Sequence, residues 1–271
     1  MINILWLALV LWTFLYPGMT HRRVGASRIR VLRVLEGKRG TRVITLIHRQ
    51  ESVSFLGIRV ARYIDIEDSE QVLRAVRLTP PEMPIDLILH TPGGLVLATE
   101  QIALAIQAHP APTTVFVPHY AMSGGTILAL AADQIIMDEN AVLGPVDPQV
   151  GPYPAASILE AARSKPVDKL DDETVILADI ARKAMVQVED TVSSLLRDKM
   201  PEEEANRIAR LLSEGNWTHD YPLTLKQLRS IGLPVSSGLP REVYTLMELY
   251  PQPPQRRPSV QYVPVPYWKE R

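Results

Sequence analysis

Short apolar runs alternate with helical segments through the middle of the chain. Runs of aliphatic and β-branched residues flanked by turn residues predict strands at 43–47, 85–89, 113–117 and 134–137, with a weaker one at 64–66. Amphipathic spacing predicts helices over 68–77, 95–108, 125–132, 171–198, 201–215 and 224–231. The run at 85–89 is almost entirely apolar, which is typical of a parallel strand buried on both faces. Alternation of strand and helix at this spacing predicts right-handed βαβ units, a mostly parallel sheet and an α/β fold class.

The first twenty residues carry a different pattern. Almost every residue from Ile2 to Met19 is apolar, and a helix of that length rises about 27 Å, close to the hydrocarbon thickness of a bilayer. Arginines follow the run from Arg22 onward and none precedes it, so the charge bias places the C-terminal side in the cytoplasm. The basic start and small-residue cleavage site of a secretion signal are both missing. We therefore expect a single-pass anchor in the cell membrane; a buried or interfacial helix and a cleaved signal are the alternatives.

The remaining organisation follows from composition. We expect a transmembrane anchor over 1–20, a juxtamembrane linker over 21–40, one folded domain over 41–250 and a Pro-rich tail over 251–271. With 46% hydrophobic residues the chain has enough apolar side chains for a large core, and a formal charge of −1 argues against nucleic acid as a partner. There is no cysteine, which excludes thiolate catalysis and disulfides. Metal-binding, P-loop and dinucleotide motifs are missing, so we expect no cofactor and no metal.

Two glycine-rich corners carry the candidate chemistry. His90-Thr-Pro-Gly-Gly94 and His119-Tyr-Ala-Met-Ser-Gly-Gly-Thr126 each join a predicted strand to a predicted helix. At such a corner the hydroxyl of Ser123 can be held at the edge of the sheet, and glycines let backbone N–H groups approach a reacting carbonyl. Together the corners indicate a nucleophile with an oxyanion hole; the alternatives are a serine that caps a helix and glycines that only build turns.

These corners, in this order, followed by Asp138-Glu-Asn-Ala-Val-Leu-Gly-Pro-Val-Asp-Pro148 and by Trp217-Thr-His-Asp-Tyr-Pro222, resemble the serine dehydrogenase proteinase family. That family is related to signal peptide peptidase A and, more distantly, to the Clp protease subunit. The resemblance implies a crotonase-like spiral of ββα units and assembly into homo-oligomers. It also implies Ser123 as the nucleophile, with Gly93, Gly94 and Gly124 forming the oxyanion hole.

A serine nucleophile needs a base, and the sequence leaves several open. In the signal peptide peptidase branch the base is a lysine near the start of a long downstream helix, which here favours Lys165 and then Lys183; Lys169 is the third candidate. A lysine serves only if burial lowers its pKa toward neutrality. The Clp-type alternative is a histidine with an aspartate. No histidine stands in the matching stretch before Asp147, which disfavours that triad, although Asp147 itself is a candidate to orient a base. The other histidines considered are His48, His90, His119 and His219.

The function expected from the sequence is a membrane-anchored serine endopeptidase of the Ser–Lys type. Its expected substrate is a peptide or membrane protein, and its expected partners are the bilayer and further copies of itself. A non-catalytic membrane scaffold and a crotonase-type acyl-CoA enzyme are the alternatives.

Overall fold

The computed structural model describes residues 23–48, 54–55, 58–59 and 62–250. The predicted membrane anchor over 1–20 and the predicted Pro-rich tail over 251–271 lie outside these residues. Within the described part of the chain, none of the helices combines the length and the apolar composition that crossing a bilayer requires.

Twelve strands and nine α-helices are found among the described residues. The strands are β1 Arg42–Ile47, β2 Ser54–Phe55, β3 Ile58–Arg59, β4 Ile85–His90, β5 Thr113–Val117, β6 Tyr120–Ala121, β7 Gln134–Met137, β8 Val142–Leu143, β9 Gln149–Val150, β10 Tyr153–Pro154, β11 Leu223–Thr224 and β12 Val235–Ser237. The helices are α1 over 23–39, α2 Ile66–Arg77, α3 Val96–Gln107, α4 Gly124–Ala131, α5 Ala155–Arg163, α6 Asp172–Arg197, α7 Glu202–Ser213, α8 Leu225–Ser230 and α9 Arg241–Glu248.

The main sheet has the order β1-β4-β5-β7-β12, and all of its neighbouring strands are parallel. All six residues of β4 are buried. Leu87 and Leu89 pack into the larger hydrophobic cluster, whereas Ile88 between them packs into a second cluster with Phe116. Because successive side chains of a strand point to opposite faces, both faces of the sheet are covered by protein. The predicted α/β fold with a mostly parallel sheet is confirmed.

Helix α1 covers one face of the sheet together with α9. Leu35 is only 1% exposed and shares the second cluster with Val243 and Leu246. The guanidinium of Arg28 donates to the carbonyl oxygen of Leu249 at 2.8 and 2.9 Å. The sequence predicts a linker at 21–40, and the structure corrects this for 23–39: apolar side chains at helical spacing dock this segment onto the sheet.

The segment around residue 65 also differs from its prediction. A strand at 64–66 is wrong, since Ile64 forms a single parallel bridge with Gly94 and Ile66 already begins α2. The cause is a capping box. Asp65 accepts from the Asp68 N–H and donates its own N–H to the Asp68 carboxylate, each at 3.0 Å. Helix α2 therefore starts before Asp68, the residue at which the sequence predicts its start.

A second, three-stranded sheet with the order β11-β8-β6 lies at the site. Strand β8 pairs parallel to β6 and antiparallel to β11. Strand β6 leads into the nucleophile corner, β8 leads toward Asp147, and β11 follows His219. This small sheet brings three distant parts of the chain together. Helices α5 and α9 were not predicted from the sequence.

Candidate active site

The two glycine-rich corners meet in the structure. The Thr91 N–H donates to the Tyr120 carbonyl oxygen at 3.3 Å, and the Met122 N–H donates to the Thr91 carbonyl oxygen at 2.9 Å. Beyond this bridge the chains stay in contact, because a Cβ placed on Gly93 would lie 2.9 Å from the Cβ of Ser123. The two corners therefore lie side by side, as the sequence predicts.

Ser123 has a strained backbone at the start of α4. Its φ of 51° is the one positive φ found among the non-glycine residues in the described ranges. A residue held in so sparsely populated a region costs about 1–3 kcal/mol, and such strain concentrates at functional sites. Although Ser123 stands at the N-cap, its side chain makes no capping hydrogen bond. Helix capping therefore does not account for this serine.

The first corner offers one backbone N–H to the site. The Gly93 carbonyl oxygen accepts from the Ile64 N–H at 2.8 Å. In a planar trans peptide the next N–H, that of Gly94, points the opposite way. The Gly94 nitrogen lies beside the nucleophile corner, because a Cβ placed on Gly124 would lie 3.5 Å from it. The Gly93 N–H instead donates to Thr91 Oγ1 at 3.2 Å.

The second corner offers the N–H of Gly124, the first residue of α4. The first N–H groups of a helix have no intrahelical acceptor. Both positions exclude a side chain. A Cβ on Gly94 would stand 2.2 Å from the Ile64 carbonyl oxygen, and one on Gly124 would stand 2.6 Å from Thr99 Oγ1. The two N–H groups are thus close together and unobstructed by side chains of their own residues.

A histidine and an aspartate far apart in sequence complete the constellation. Leu143 of β8 pairs with Leu223 of β11 in antiparallel register. Asp147 follows Leu143 by four residues and His219 precedes Leu223 by four, so continuing the register sets them opposite each other. The His219 Nδ1 lies 2.8 Å from the Asp147 Oδ1.

The buried carboxylate of Asp147 determines the tautomer of His219 and shifts its pKa. The carboxylate is 1% exposed and also accepts from Gln149 Nε2 at 2.8 Å. The hydrogen bond to Asp147 raises the pKa of His219 above its usual value, while partial burial acts in the opposite direction. With its Nδ1–H donated to the carboxylate, neutral His219 keeps Nε2 as a proton acceptor.

One cavity of about 220 Å³ collects these groups. Its lining includes Ser123, Gly94, Gly124, Asp147 and His219. The rest of the lining is mixed apolar and polar: Tyr63, Pro92, Val96, Thr99, Ile127, Val146, Pro148, Gln149 and Val188. A half-buried hydroxyl, two backbone donors and a carboxylate-held imidazole therefore share one concave site.

The lysines predicted as bases lie elsewhere in the protomer. Lys165 is exposed after α5, and Lys183 is 68% exposed and paired with Asp179 at 2.6 Å. Lys169 is exposed as well. None of the three lines the Ser123 cavity. A lysine base therefore stays a prediction, without support from the groups that line this cavity.

Lys199 is the lysine whose pKa burial lowers, to about 8. Its ammonium group donates to the carbonyl oxygen of Leu130. Leu130 lies near the C-terminus of α4, about 10 Å along the helix axis from Ser123. The lowered pKa therefore marks a helix end and not the nucleophile.

Three other histidines have structural neighbours. His90 is buried and its ring lies 4.3 Å from that of Tyr120, while His119 is stacked at 5.8 Å from His90. His48 is buried beneath the first corner, where its Nδ1 lies 2.9 Å from Thr91 Oγ1. The sequence pattern alone does not single out His219 among the histidines. The signal that points to it is its position relative to β11, which has meaning only once the β8–β11 pairing is known.

A strained serine at a strand–helix corner, paired backbone donors and a carboxylate-held histidine on a parallel α/β sheet are the features of a serine hydrolase. Comparison with known proteins agrees. The whole chain, residues 1–271, matches the ClpP-like SDH-type serine proteinase family. The protein belongs to this family of serine proteinases.

Two relatives come from Methanocaldococcus jannaschii. The uncharacterized protein MJ1495 is 60% identical over 257 residues, which cover 95% of this chain and 88% of the relative. The uncharacterized protein MJ0137 is 55% identical over 268 residues, which cover 99% and 94%.

Solved structures with a distant likeness include two mutants of the 1510-N membrane-bound stomatin-specific protease. A lysine-to-alanine mutant in complex with a substrate peptide has a TM-score of 0.45 and 20% identity, covering 67% of this chain and 74% of the other. A serine-to-alanine mutant has a TM-score of 0.43 and 19% identity, covering 69% and 79%.

Proposed function

We propose that the protein is a serine endopeptidase in which Ser123 is the nucleophile and His219 is the base. Asp147 orients His219, and the N–H groups of Gly94 and Gly124 hold the oxyanion. The observation that carries this proposal is the His219–Asp147 pair, which lines the same cavity as the strained Ser123. Gly93 shapes the corner with its φ of 109° and directs the Gly94 N–H.

The reaction follows the usual order for acyl transfer. Neutral His219 accepts the hydroxyl proton of Ser123 at Nε2 as the oxygen attacks the peptide carbonyl carbon. The carbonyl oxygen gains negative charge, which the two N–H groups stabilise, while Asp147 stabilises the imidazolium. His219 then gives its proton to the leaving amine as the C–N bond breaks, leaving an acyl ester on Ser123. Water, deprotonated by His219, then attacks the ester carbonyl carbon. The bond from that carbon to Ser123 Oγ breaks, His219 returns the proton to Oγ, and the carboxylic acid product leaves.

The substrate proposed is a peptide or membrane protein with apolar side chains near the cleaved bond. Tyr63 and Val96 line the cavity although they are 52% and 51% exposed, and Leu95 and Leu97 beside them are 54% and 60% exposed. We further propose assembly into homo-oligomers and a single-pass anchor in the cell membrane, with the peptidase domain on the cytoplasmic side. The apolar run from Ile2 to Met19 and the arginines after it support the anchor.

The decisive experiment uses a fluorophosphonate probe, which labels an activated serine, together with peptide hydrolysis. Ser123→Ala is expected to abolish both, and the exposed Ser230→Ala is the matched control expected to keep both. His219→Gln is expected to lower labelling and hydrolysis by at least about 10³-fold, since the serine then lacks its base. His109→Gln, whose ring contacts the Met83 carbonyl oxygen away from the site, is the histidine control.

The alternatives give different results in the same assays. A non-catalytic scaffold leaves the wild-type protein unlabelled. An acyl-CoA enzyme of the same fold hydrolyses no peptide and is stabilised by coenzyme A in a thermal-shift measurement. Full activity in Ser123→Ala removes Ser123 from the role of nucleophile.

A further inference from the structure

A second histidine–carboxylate pair lies behind the first glycine corner, and the proposed reaction does not use it. His48 follows β1, and its side chain is 7% exposed. Its Nε2 lies 3.2 Å from Oδ2 of Asp68 on α2. Burial of Asp68 acts to raise its pKa, but the hydrogen bonds from His48 and from the Asp65 N–H outweigh it and lower the pKa. Asp68 is therefore an ionised acceptor at neutral pH.

The other ring nitrogen of His48 points to Thr91, which is completely buried. His48 Nδ1 lies 2.9 Å from Thr91 Oγ1, and the same oxygen accepts from the Gly93 N–H at 3.2 Å. Since the Asp68 carboxylate only accepts, it takes the Nε2–H of His48. With one proton on the ring, Nδ1 accepts the hydroxyl proton of Thr91, for which the Gly93 carbonyl oxygen, 3.4 Å from Thr91 Oγ1, is the longer alternative acceptor. The donors form one directed chain from the Gly93 N–H through Thr91 and His48 to Asp68.

This chain ends at the Gly93 N–H, in the peptide directly before the one that presents the oxyanion donor. Thr91 Oγ1 holds the Gly93 nitrogen on one side, and the Ile64 N–H holds the Gly93 carbonyl oxygen on the other at 2.8 Å. The Ile64 bond sets the plane of the Gly93–Gly94 peptide, and the Thr91 bond holds the peptide before it. Together they restrain the backbone torsions of Gly93, and with them the direction of the Gly94 N–H. Gly93 has a φ of 109° and no side chain to restrain it, so loss of the Thr91 bond removes one of the two hydrogen bonds that hold its conformation.

We propose that Asp68, His48 and Thr91 are positioning residues that hold the Gly94 N–H toward the oxyanion. This inference rests on the proposed peptidase function, because only a developing negative charge at this place needs the N–H in a fixed direction. None of the three lines the Ser123 cavity, and they act through the backbone of Gly93. Loss of the chain should therefore lower the rate of the chemical step without weakening substrate binding.

The test compares Thr91→Val, which keeps the shape and removes the hydroxyl, with Thr91→Ser, which keeps the hydroxyl. Removal of one oxyanion donor costs about 10²–10³-fold in turnover, and here the donor is misdirected and not lost. Thr91→Val is expected to lower kcat by about 10–100-fold while KM stays within about twofold. Thr91→Ser is expected to restore kcat to within about threefold of wild type, because the hydroxyl remains available to Gly93 and His48.

Thr113 supplies a matched structural control. Its buried hydroxyl also accepts from a backbone N–H, that of Asp133, and donates to a carboxylate, with both distances 3.0 Å. Thr113 begins β5, at the end of the strand away from the nucleophile corner. Thr113→Val is expected to lower the thermal midpoint as Thr91→Val does, but to leave kcat per folded molecule unchanged.

Should Thr91→Val fail to fold, Asp68→Asn is measured against the exposed neighbour Glu67→Gln. Asp68→Asn is expected to lower kcat by about threefold to tenfold and Glu67→Gln to leave it unchanged. Wild-type kcat in a folded Thr91→Val or in Asp68→Asn overturns the proposal, as does a Thr91→Ser protein as slow as Thr91→Val. Ser123→Ala distinguishes failure of the positioning role from failure of the peptidase function. If Ser123→Ala is inactive while Thr91→Val is fully active, only the positioning role fails. If Ser123→Ala is active, the peptidase function itself fails.

Discussion

The imidazole of His219 is tied to the carboxylate of Asp147 across 72 positions of sequence, with 2.8 Å between Nδ1 and Oδ1. The carboxylate is 1% exposed, whereas the imidazole is 37% exposed and borders the cavity of Ser123. A buried, acceptor-only partner fixes both the tautomer and the orientation of the ring. The pair therefore holds a proton acceptor at the wall of the cavity that Ser123 also lines.

Replacing Asp147 by Asn is expected to leave the fold intact and to lower kcat by up to about 10⁴-fold, because an amide no longer selects the productive tautomer. The pH dependence has a definite sign. His219 acts as a base only when neutral, so wild-type kcat/KM should rise with pH through its raised pKa, above the usual 6.5. Without the carboxylate the pKa of His219 falls. The residual kcat/KM of the variant should therefore increase with pH over a lower pH range than that of the wild type.

The measurement is a pH–rate profile of kcat/KM for both proteins. Asp179→Asn is the control, since this aspartate pairs with Lys183 on the exposed face of α6 and should leave the profile unchanged. An unchanged profile in Asp147→Asn would contradict the role of His219.

Substitution of Gly124 by alanine tests the oxyanion hole, because it introduces a steric clash that a second substitution, Thr99→Ala, removes. A Cβ at this position would lie 2.6 Å from Thr99 Oγ1 and 3.3 Å from Thr99 Cγ2. Gly124→Ala should therefore push the start of α4 away from the first corner and lower kcat by about 10–100-fold, as misplaced donors do. Thr99→Ala removes both contacting atoms, so the double variant should recover most of the loss. Steady-state kinetics of the two single variants and the double variant provide the check; a double variant no better than Gly124→Ala would exclude this steric mechanism.

Lysine substitutions separate the two candidate bases. Lys183 lies in an exposed i,i+4 pair with Asp179, and such a solvent-screened pair contributes little to stability. Lys165→Ala and Lys183→Ala are therefore expected to keep peptide hydrolysis and probe labelling within about twofold of wild type, because neither side chain lines the cavity. A large loss in either one, with His219→Gln active, would favour the Ser–Lys mechanism, with the lysine contributed across a subunit boundary.

The contrast between what sequence reasoning found and what it missed has a physical basis. The sequence predicts a site at Gly93, Gly94 and Ser123 because a sharp strand–helix corner requires small residues that are adjacent in sequence. The His219–Asp147 pair depends on the pairing of two-residue strands that are 80 positions apart at Leu143 and Leu223. No periodicity or spacing within either segment reveals that register.

The same distinction applies to the fold. The sequence predicts β4 because a strand that is buried on both faces is an almost continuous apolar run, which can be recognised without knowing its partners. The sequence at 21–40 predicts a linker because the segment is rich in arginine and glycine. Its docking depends on partners late in the chain, such as the Leu249 carbonyl oxygen that Arg28 reaches.

The join between α1 and the sheet makes a prediction about stability. Arg39 Nε lies 2.5 Å from Oδ2 of Asp86, and Thr41 Oγ1 donates to the same oxygen at 2.6 Å. The Asp86 side chain is 1% exposed and that of Arg39 is 31% exposed. Arg39→Met leaves this buried carboxylate without its counter-charge and is expected to lower the free energy of unfolding by about 2–4 kcal/mol.

Lys38→Met is the matched control. The neighbouring Lys38 is 63% exposed and pairs with Glu242 in a solvent-screened position, so its loss should lower the free energy of unfolding far less than the loss of Arg39 does. Urea unfolding of the two variants measures the difference, and equal stabilities would mean that the Arg39–Asp86 pair does not hold α1 against the sheet.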